Sequence, residues 1–139
     1  MSASKKLSLA VKALCVLEHH KESPLSSAQI AEELEVNPSK LRRILSILVK
    51  NKLIVSTQGT AGGFVLNKPA DQINLQEIYC SVEEKKAFYL DVHSHLNKNS
   101  FSSKMNEFLL DLFSDVQVVI EEKMRQITVD ELTKKTEIL

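Results

Sequence analysis

Cysteine is nearly absent from this chain: among 139 residues only Cys15 and Cys80 carry a thiol. Two are too few for a disulfide-stapled secreted scaffold, and these two lie too far apart for a zinc motif. Long apolar runs are missing as well, and nothing approaches the roughly 18 residues that a membrane-spanning helix requires. The stretch "KKLSLAVKALCVL" begins like a secretory leader, but Lys12 interrupts its apolar run and no small-residue cleavage site follows. The expectation is a cytoplasmic protein with no membrane partner. Glycine is the third scarcity: Gly59, Gly62 and Gly63, all within "QGTAGGF", are the only three. Glycines gather where backbone takes positive φ or comes unusually close to something. The loop is therefore a phosphate cradle, an RNA clamp or the tip of a β-hairpin.

The fourth absence concerns one sign of charge. The net charge is zero, yet residues 1–70 hold ten Lys/Arg against five Asp/Glu, and residues 71–139 hold eight against thirteen, so the halves carry +5 and −5. No acid lies between Val36 and Ala70, where Lys40, Arg42, Arg43, Lys50, Lys52 and Lys68 stand. Such an imbalance points one half of the chain toward an anionic partner. At this length the chain is one domain, or one domain with an appended element.

What is present follows helical spacing for the first 50 residues. Leu7, Val11, Leu14 and Leu17 form one stripe, and Leu9, Ala13 and Val16 a second, which predicts a first helix buried on two sides. Ser26 with Gln29 has capping-box spacing and opens a short second helix with Ile30, Ala31 and Leu34 on its apolar side. Asn37 followed by Pro38 is an N-cap with proline at the first helical position, starting a third helix that runs to about Asn51. The period then shortens: "LIVST" and "FVLN" flank the glycine cluster as a hairpin. Asn74 with Glu77 opens a fourth helix carrying Leu75, Ile78 and Val82 on one face. Residues 83–100 have no sustained period, Phe101 to Ile127 is the longest periodic run, and Thr128 with Glu131 caps a final short helix. There are no internal repeats and no low-complexity tract.

This order narrows the glycine question. Neither the Walker spacing nor the dinucleotide fingerprint is present, and a strand rather than a helix follows the loop. "GTAG" fits the clamp of an RNA-binding KH domain, but that clamp joins two helices. The loop is a hairpin tip. In the third helix, Leu41, Ile44, Leu45 and Leu48 cluster on one side and face the core, whereas Ser39, Arg43, Ser46 and Lys50 point away with Lys40 and Arg42 beside them. Cations and small hydroxyls are the groups that bond phosphates and base edges. A second helix, a tight turn, a basic third helix and a glycine-tipped hairpin is the order of a winged helix-turn-helix, whose third helix enters the major groove.

"LAVKAL", "AQIAEELEVNPSKLRRILSILVKNKLI", "TQGTAGGFVLNKPADQINLQEIYCSVE" and the long C-terminal helix together resemble the Rrf-two family of bacterial transcriptional regulators, in order along the whole chain. The resemblance implies a mainly α fold with a small two-stranded β-hairpin, a winged helix-turn-helix followed by a long dimerisation helix. It implies a repressor that binds double-stranded DNA as a homodimer on a palindromic operator. Asn37, Ser39, Lys40, Arg42 and Arg43 match the family's DNA-reading segment, and Gln58, Gly59 and Thr60 match its wing; Lys50 joins them as an expected phosphate contact. Two departures stand out. Gln58 occupies a position where the family commonly has Arg or Lys. Cluster-binding members carry three cysteines between the fourth helix and the dimer helix, whereas residues 81–139 here contain none. An iron–sulfur cluster draws on thiolates, usually four ligands, so the expectation is a cluster-free member with no cofactor.

The expected organisation is a DNA-binding domain over 1–82, an irregular connecting and candidate sensing segment over 83–100, and the dimerisation helix with a short final helix over 101–139. Met105, Leu109, Leu112, Val116 and Val119 recur at steps of four, three, four and three, the spacing of a helix-pair seam. The expected control of such a regulator is an oxidant acting on a thiol, a small-molecule effector, or regulation by abundance alone. Cys80, off the apolar stripe of its helix, is the candidate redox sensor; Cys15 lies in an apolar run that suppresses ionisation, and Glu83 and Glu84 disfavour a thiolate at Cys80. His93 and His95 with Asp91 give two or three donors without a fourth, so no metal site is assigned. No nucleophile, base and acid stand together, and no enzyme is expected. The rival reading is a winged-helix module that binds protein through its basic helix without touching DNA.

Overall fold

The structure, a computed structural model, describes residues 3–83, 97 and 99–139. The described chain runs α1 (Ala3–His19), α2 (Ser27–Leu34), α3 (Pro38–Lys50), β1 (Ile54–Thr57), β2 (Gly63–Leu66), α4 (Leu75–Val82), α5 (Phe101–Arg125) and α6 (Val129–Ile138), with one 3-10 turn at Ala70–Gln72. Every element expected from the sequence is present, and the 3-10 turn is additional. Of the expected irregular connection, residues 84–96 and 98 lie outside the described residues, and His93, His95, Asp91 and Glu84 with them.

The chain divides into two compact units, residues 1–84 with 124–139, and residues 85–123. In the first, α1 is the central element and packs against α2, α3, α4, α6 and β2. Of its two expected stripes, Leu14 and Leu17 and the whole set Leu9, Ala13 and Val16 are buried, Leu7 and Val11 are half-buried against the core, and Ala10 is buried beside them. Leu41, Ile44, Leu45 and Leu48 of α3 pack into the same core, as do Ile30, Ile54, Ile73, Ile78 and Val129. That burial fixes the rotation of α3 about its axis and so decides which side chains face outward. Removing one such Leu or Ile side chain typically costs about 2–5 kcal/mol.

Local caps start the helices. Ser26 Oγ accepts from the Gln29 N–H at 3.2 Å while Gln29 Oε1 accepts from the Ser26 N–H at 2.8 Å, the reciprocal pair expected at α2. Asn74 Oδ1 accepts from the Glu77 N–H at 3.0 Å to start α4. At the far end of α3 the chain turns through Lys52, which has φ 62°. Asn67 then ties this turn to the end of the hairpin, its Nδ2 donating to the Lys52 carbonyl at 2.9 Å and its N–H to the Leu53 carbonyl at 3.0 Å.

The hairpin pairs Ile54 with Leu66, Val55 with Val65, Ser56 with Phe64 and Thr57 with Gly63. A third segment joins it. Leu25, just before α2, exchanges backbone hydrogen bonds with Phe64 at 2.7 and 3.2 Å, so the wing is stitched to the entrance of the helix-turn-helix. This explains Gly63: a Cβ there would sit 2.5 Å from the Leu25 carbonyl. Gly59 has a different reason, its φ of +102° at the tip, with open space around it.

The sequence grouped the last helix with the long one. α6 instead falls in the same compact unit as residues 1–84. The Leu75 N–H donates to the Ile127 carbonyl at 2.8 Å and the Val129 N–H to the Ile73 carbonyl at 2.9 Å, and α6 then packs along α1. Thr128 caps it as expected, accepting from the Glu131 N–H at 3.2 Å. In the second unit, α5 carries exposed apolar side chains at Phe101, Met105, Phe108, Leu112 and Val119. No described helix is long and apolar enough to cross a membrane.

Candidate nucleic-acid interface

With Leu41, Ile44, Leu45 and Leu48 turned inward, Ser39, Lys40, Arg42, Arg43, Ser46 and Lys50 are all exposed on the outer side of α3. The helix begins at Asn37, whose Oδ1 accepts from the Ser39 N–H at 2.8 Å and from the Lys40 N–H at 3.3 Å. That oxygen is committed to the cap, so any contact of Asn37 with a ligand falls to its Nδ2. Gln58, Gly59 and Thr60 are exposed at the tip between β1 and β2, where the Gly62 N–H donates to the Gly59 carbonyl at 3.0 Å. Gln58 is neutral, so the wing tip offers hydrogen bonds and no cation.

Ion pairing separates the cations into two sets. Lys21 bonds Glu18 at 3.6 Å, Lys68 bonds Glu77 at 2.8 Å, Lys134 bonds Asp130 at 2.9 Å and Lys135 bonds Glu131 at 3.0 Å. Lys40, Arg42, Arg43, Lys50 and Lys52 have no such partner among the described residues, nor do Lys5 and Lys12 of α1. Lys68 thus leaves the group of six cations in the acid-free stretch. Lys5 and Lys12, which the sequence reading did not single out, join the unpaired set. Their signal was there: they are seven residues apart on one helix, and Glu18 is the first acid of the chain.

The two thiols differ in their surroundings. Cys80 is exposed on α4, with Gln76 Nε2 donating to its sulfur at 3.2 Å. Cys15 is half-buried on α1, lining an apolar cavity of about 440 Å³ with Val16, Leu34 and Leu132. Burial pushes the Cys15 thiol pKa up; the Thr133 hydroxyl opposes this and Glu18 adds to it. At the end of α1, His19 Nδ1 lies 2.9 Å from Glu137 Oε1 of α6, and His20 Nε2 lies 2.7 Å from Glu33 Oε2 of α2. These pairs tie three helices together at the surface. Among the described residues no three His, Cys, Asp or Glu side chains gather where a metal ion could sit.

A family model described as Rrf2, an iron-dependent transcriptional regulator, matches residues 3–135. YwgB of Bacillus subtilis is 38% identical over 68 residues, 49% of this chain and 44% of YwgB, so the chain spans less than half the length of that relative. The HTH-type transcriptional regulator IscR of Pectobacterium atrosepticum is 29% identical over 126 residues, 91% of this chain and 74% of IscR. The solved structure of CymR, the global cysteine regulator of B. subtilis, matches with a TM-score of 0.73 over 97% of this chain and 98% of CymR, at 20% identity. This last likeness is one of fold. Among the described residues the iron in the family description finds no fitting donor set: Cys15 and Cys80 sit on different helices, one half-buried and one exposed, and residues 81–139 hold no thiol.

Proposed function

The chain belongs to the Rrf2 family of transcriptional regulators, and from that membership we propose that it is a sequence-specific repressor acting as a homodimer on a palindromic DNA operator. One observation carries the reading: the outer side of α3 is exposed, free of acids, and holds cations without ion-pair partners among the described residues. A merely solvated helix face mixes both signs. Here the face offers what a duplex asks for, guanidinium groups for guanine edges and ammonium groups for phosphates. Arg43 stands at the centre of that face and reads a base; Arg42, Lys40, Ser39 and Asn37 flank it; Lys50 meets a phosphate. Gln58, Gly59 and Thr60 lie against the neighbouring backbone through hydrogen bonds. The apolar side chains exposed along α5 support the second copy, and the match of two recognition helices to two half-sites follows from that symmetry. The repressor role is the one the family resemblance implies.

The signal is an oxidant or a small molecule, with Cys80 the thiol open to solvent. Oxidation there acts on α4, which follows the wing and precedes the connection to α5. Titration of a labelled promoter duplex at several salt concentrations tests the function. Binding through several phosphates gives a steep log–log slope. A flat, weak response would favour the module that binds protein alone.

A further inference from the structure

Beside the start of α3 lies an open cleft of about 490 Å³, lined by Lys5, Ser8, Leu9 and Lys12 of α1 and by Val36, Asn37 and Lys40. Ser8, Leu9 and Lys12 lie three, four and seven residues after Lys5, so one face of α1 supplies that wall. Leu9 is buried and anchors the wall to the core, while the three lysines are exposed. None of the three has an ion-pair partner among the described residues, and no acid lines the cleft. Ammonium groups gathered without a counter-charge repel one another, and a concave setting concentrates their field on an anion. The first N–H groups of α3 are already capped by Asn37, so the attraction comes from the side chains.

We propose that this cleft, through Lys5, Lys12 and Lys40, grips backbone phosphates of DNA beside the stretch whose bases α3 reads. The inference rests on the DNA-binding reading above. Lys40 belongs to both surfaces, so a duplex lying along α3 runs its backbone past α1 without a break. A helix adjoining the recognition helix is well placed to meet the strand that borders the major groove. Phosphate contacts fix register and orientation and carry no sequence information. The cleft therefore adds affinity on any duplex and leaves discrimination to Arg43.

The experiment compares wild type, the double variant Lys5→Gln with Lys12→Gln, and a control with Lys134→Gln and Lys135→Gln, whose lysines are ion-paired on α6. Each full-length protein is titrated with an operator duplex and a scrambled duplex at several salt concentrations. A dimer with four fewer phosphate contacts should lose roughly three to four units of log–log slope. The loss should be alike on both duplexes, the operator-to-scrambled ratio unchanged, and the control should keep the wild-type slope. A wild-type slope in the double variant would overturn the cleft assignment and leave the recognition surface standing. A wild type with no salt-dependent binding would overturn the DNA reading itself and this proposal with it. Calorimetry with inorganic phosphate separates the remaining source. Uptake by wild type but not by the double variant, together with an unchanged DNA slope, would make the cleft a site for a free anion and overturn the backbone assignment.

Discussion

Asn37 caps α3 and is proposed to contact DNA as well, and substitution separates the two roles. Its Oδ1 caps α3, which leaves its Nδ2 for the proposed contact with DNA. Asn37→Ala should cost about 1 kcal/mol of stability, the usual loss for a missing N-cap, and should also weaken operator binding. Asn37→Ser keeps a capping oxygen, so its stability should return to near wild type while any loss of binding persists; urea denaturation and duplex titration read the two separately. The thiols make a second test at this scale. Cys80 is exposed, whereas burial raises the Cys15 pKa and so lowers its thiolate fraction near neutral pH. Iodoacetamide at neutral pH should therefore alkylate Cys80 well before Cys15, as followed by mass spectrometry of peptides. As the pH rises toward the Cys15 pKa the gap should narrow, because ionisation is then no longer limiting.

Among the elements, the wing depends on a contact that its own sequence does not announce. Gly63→Ala would drive a methyl group to 2.5 Å from the Leu25 carbonyl. The Leu25–Phe64 pairing must then open, at a cost of about 1–3 kcal/mol typical of overpacking. A lower denaturation midpoint with an unchanged m-value would show it, and a wild-type midpoint would refute the packing role. This contrast marks what was legible. The caps at Ser26, Asn37, Asn74 and Thr128 involve residues three or so positions apart, so the sequence displays them directly. The outer face of α3 was legible for the same reason: four apolar residues at helical spacing fix its rotation. The Leu25 bridge and the bond from Leu75 to Ile127 join distant segments through backbone atoms, which carry no residue signature, and α6 meets α1 through side chains far apart in the sequence, such as His19 and Glu137. The lysine cleft was half-legible, its spacing visible on α1 but its partner Lys40 brought in only by the fold.

For the whole molecule, operator binding as proposed takes two copies. Met105, Leu112 and Val119 are exposed along α5, with Leu109 and Val116 half-buried between them. That seam has the alternating spacing of paired helices. Val116→Glu should place a charge within it and yield monomer or aggregate with little operator affinity. Sedimentation of wild type at micromolar concentration should give a dimer, and a wild-type monomer there would refute the assignment of α5 as the dimer helix.

Whether the outward face of α3 reads base sequence is decided at Arg43. Arg43→Ala removes the central guanidinium without touching Leu41, Ile44, Leu45 or Leu48. Affinities of wild type and variant are to be measured at one fixed salt concentration on an operator duplex and on a scrambled one. A loss of about 1–3 kcal/mol is expected on the operator, the value of a good bidentate base contact, with a much smaller loss on the scrambled duplex. Wild-type operator affinity in Arg43→Ala, or an equal loss on both duplexes, would contradict base reading by this face.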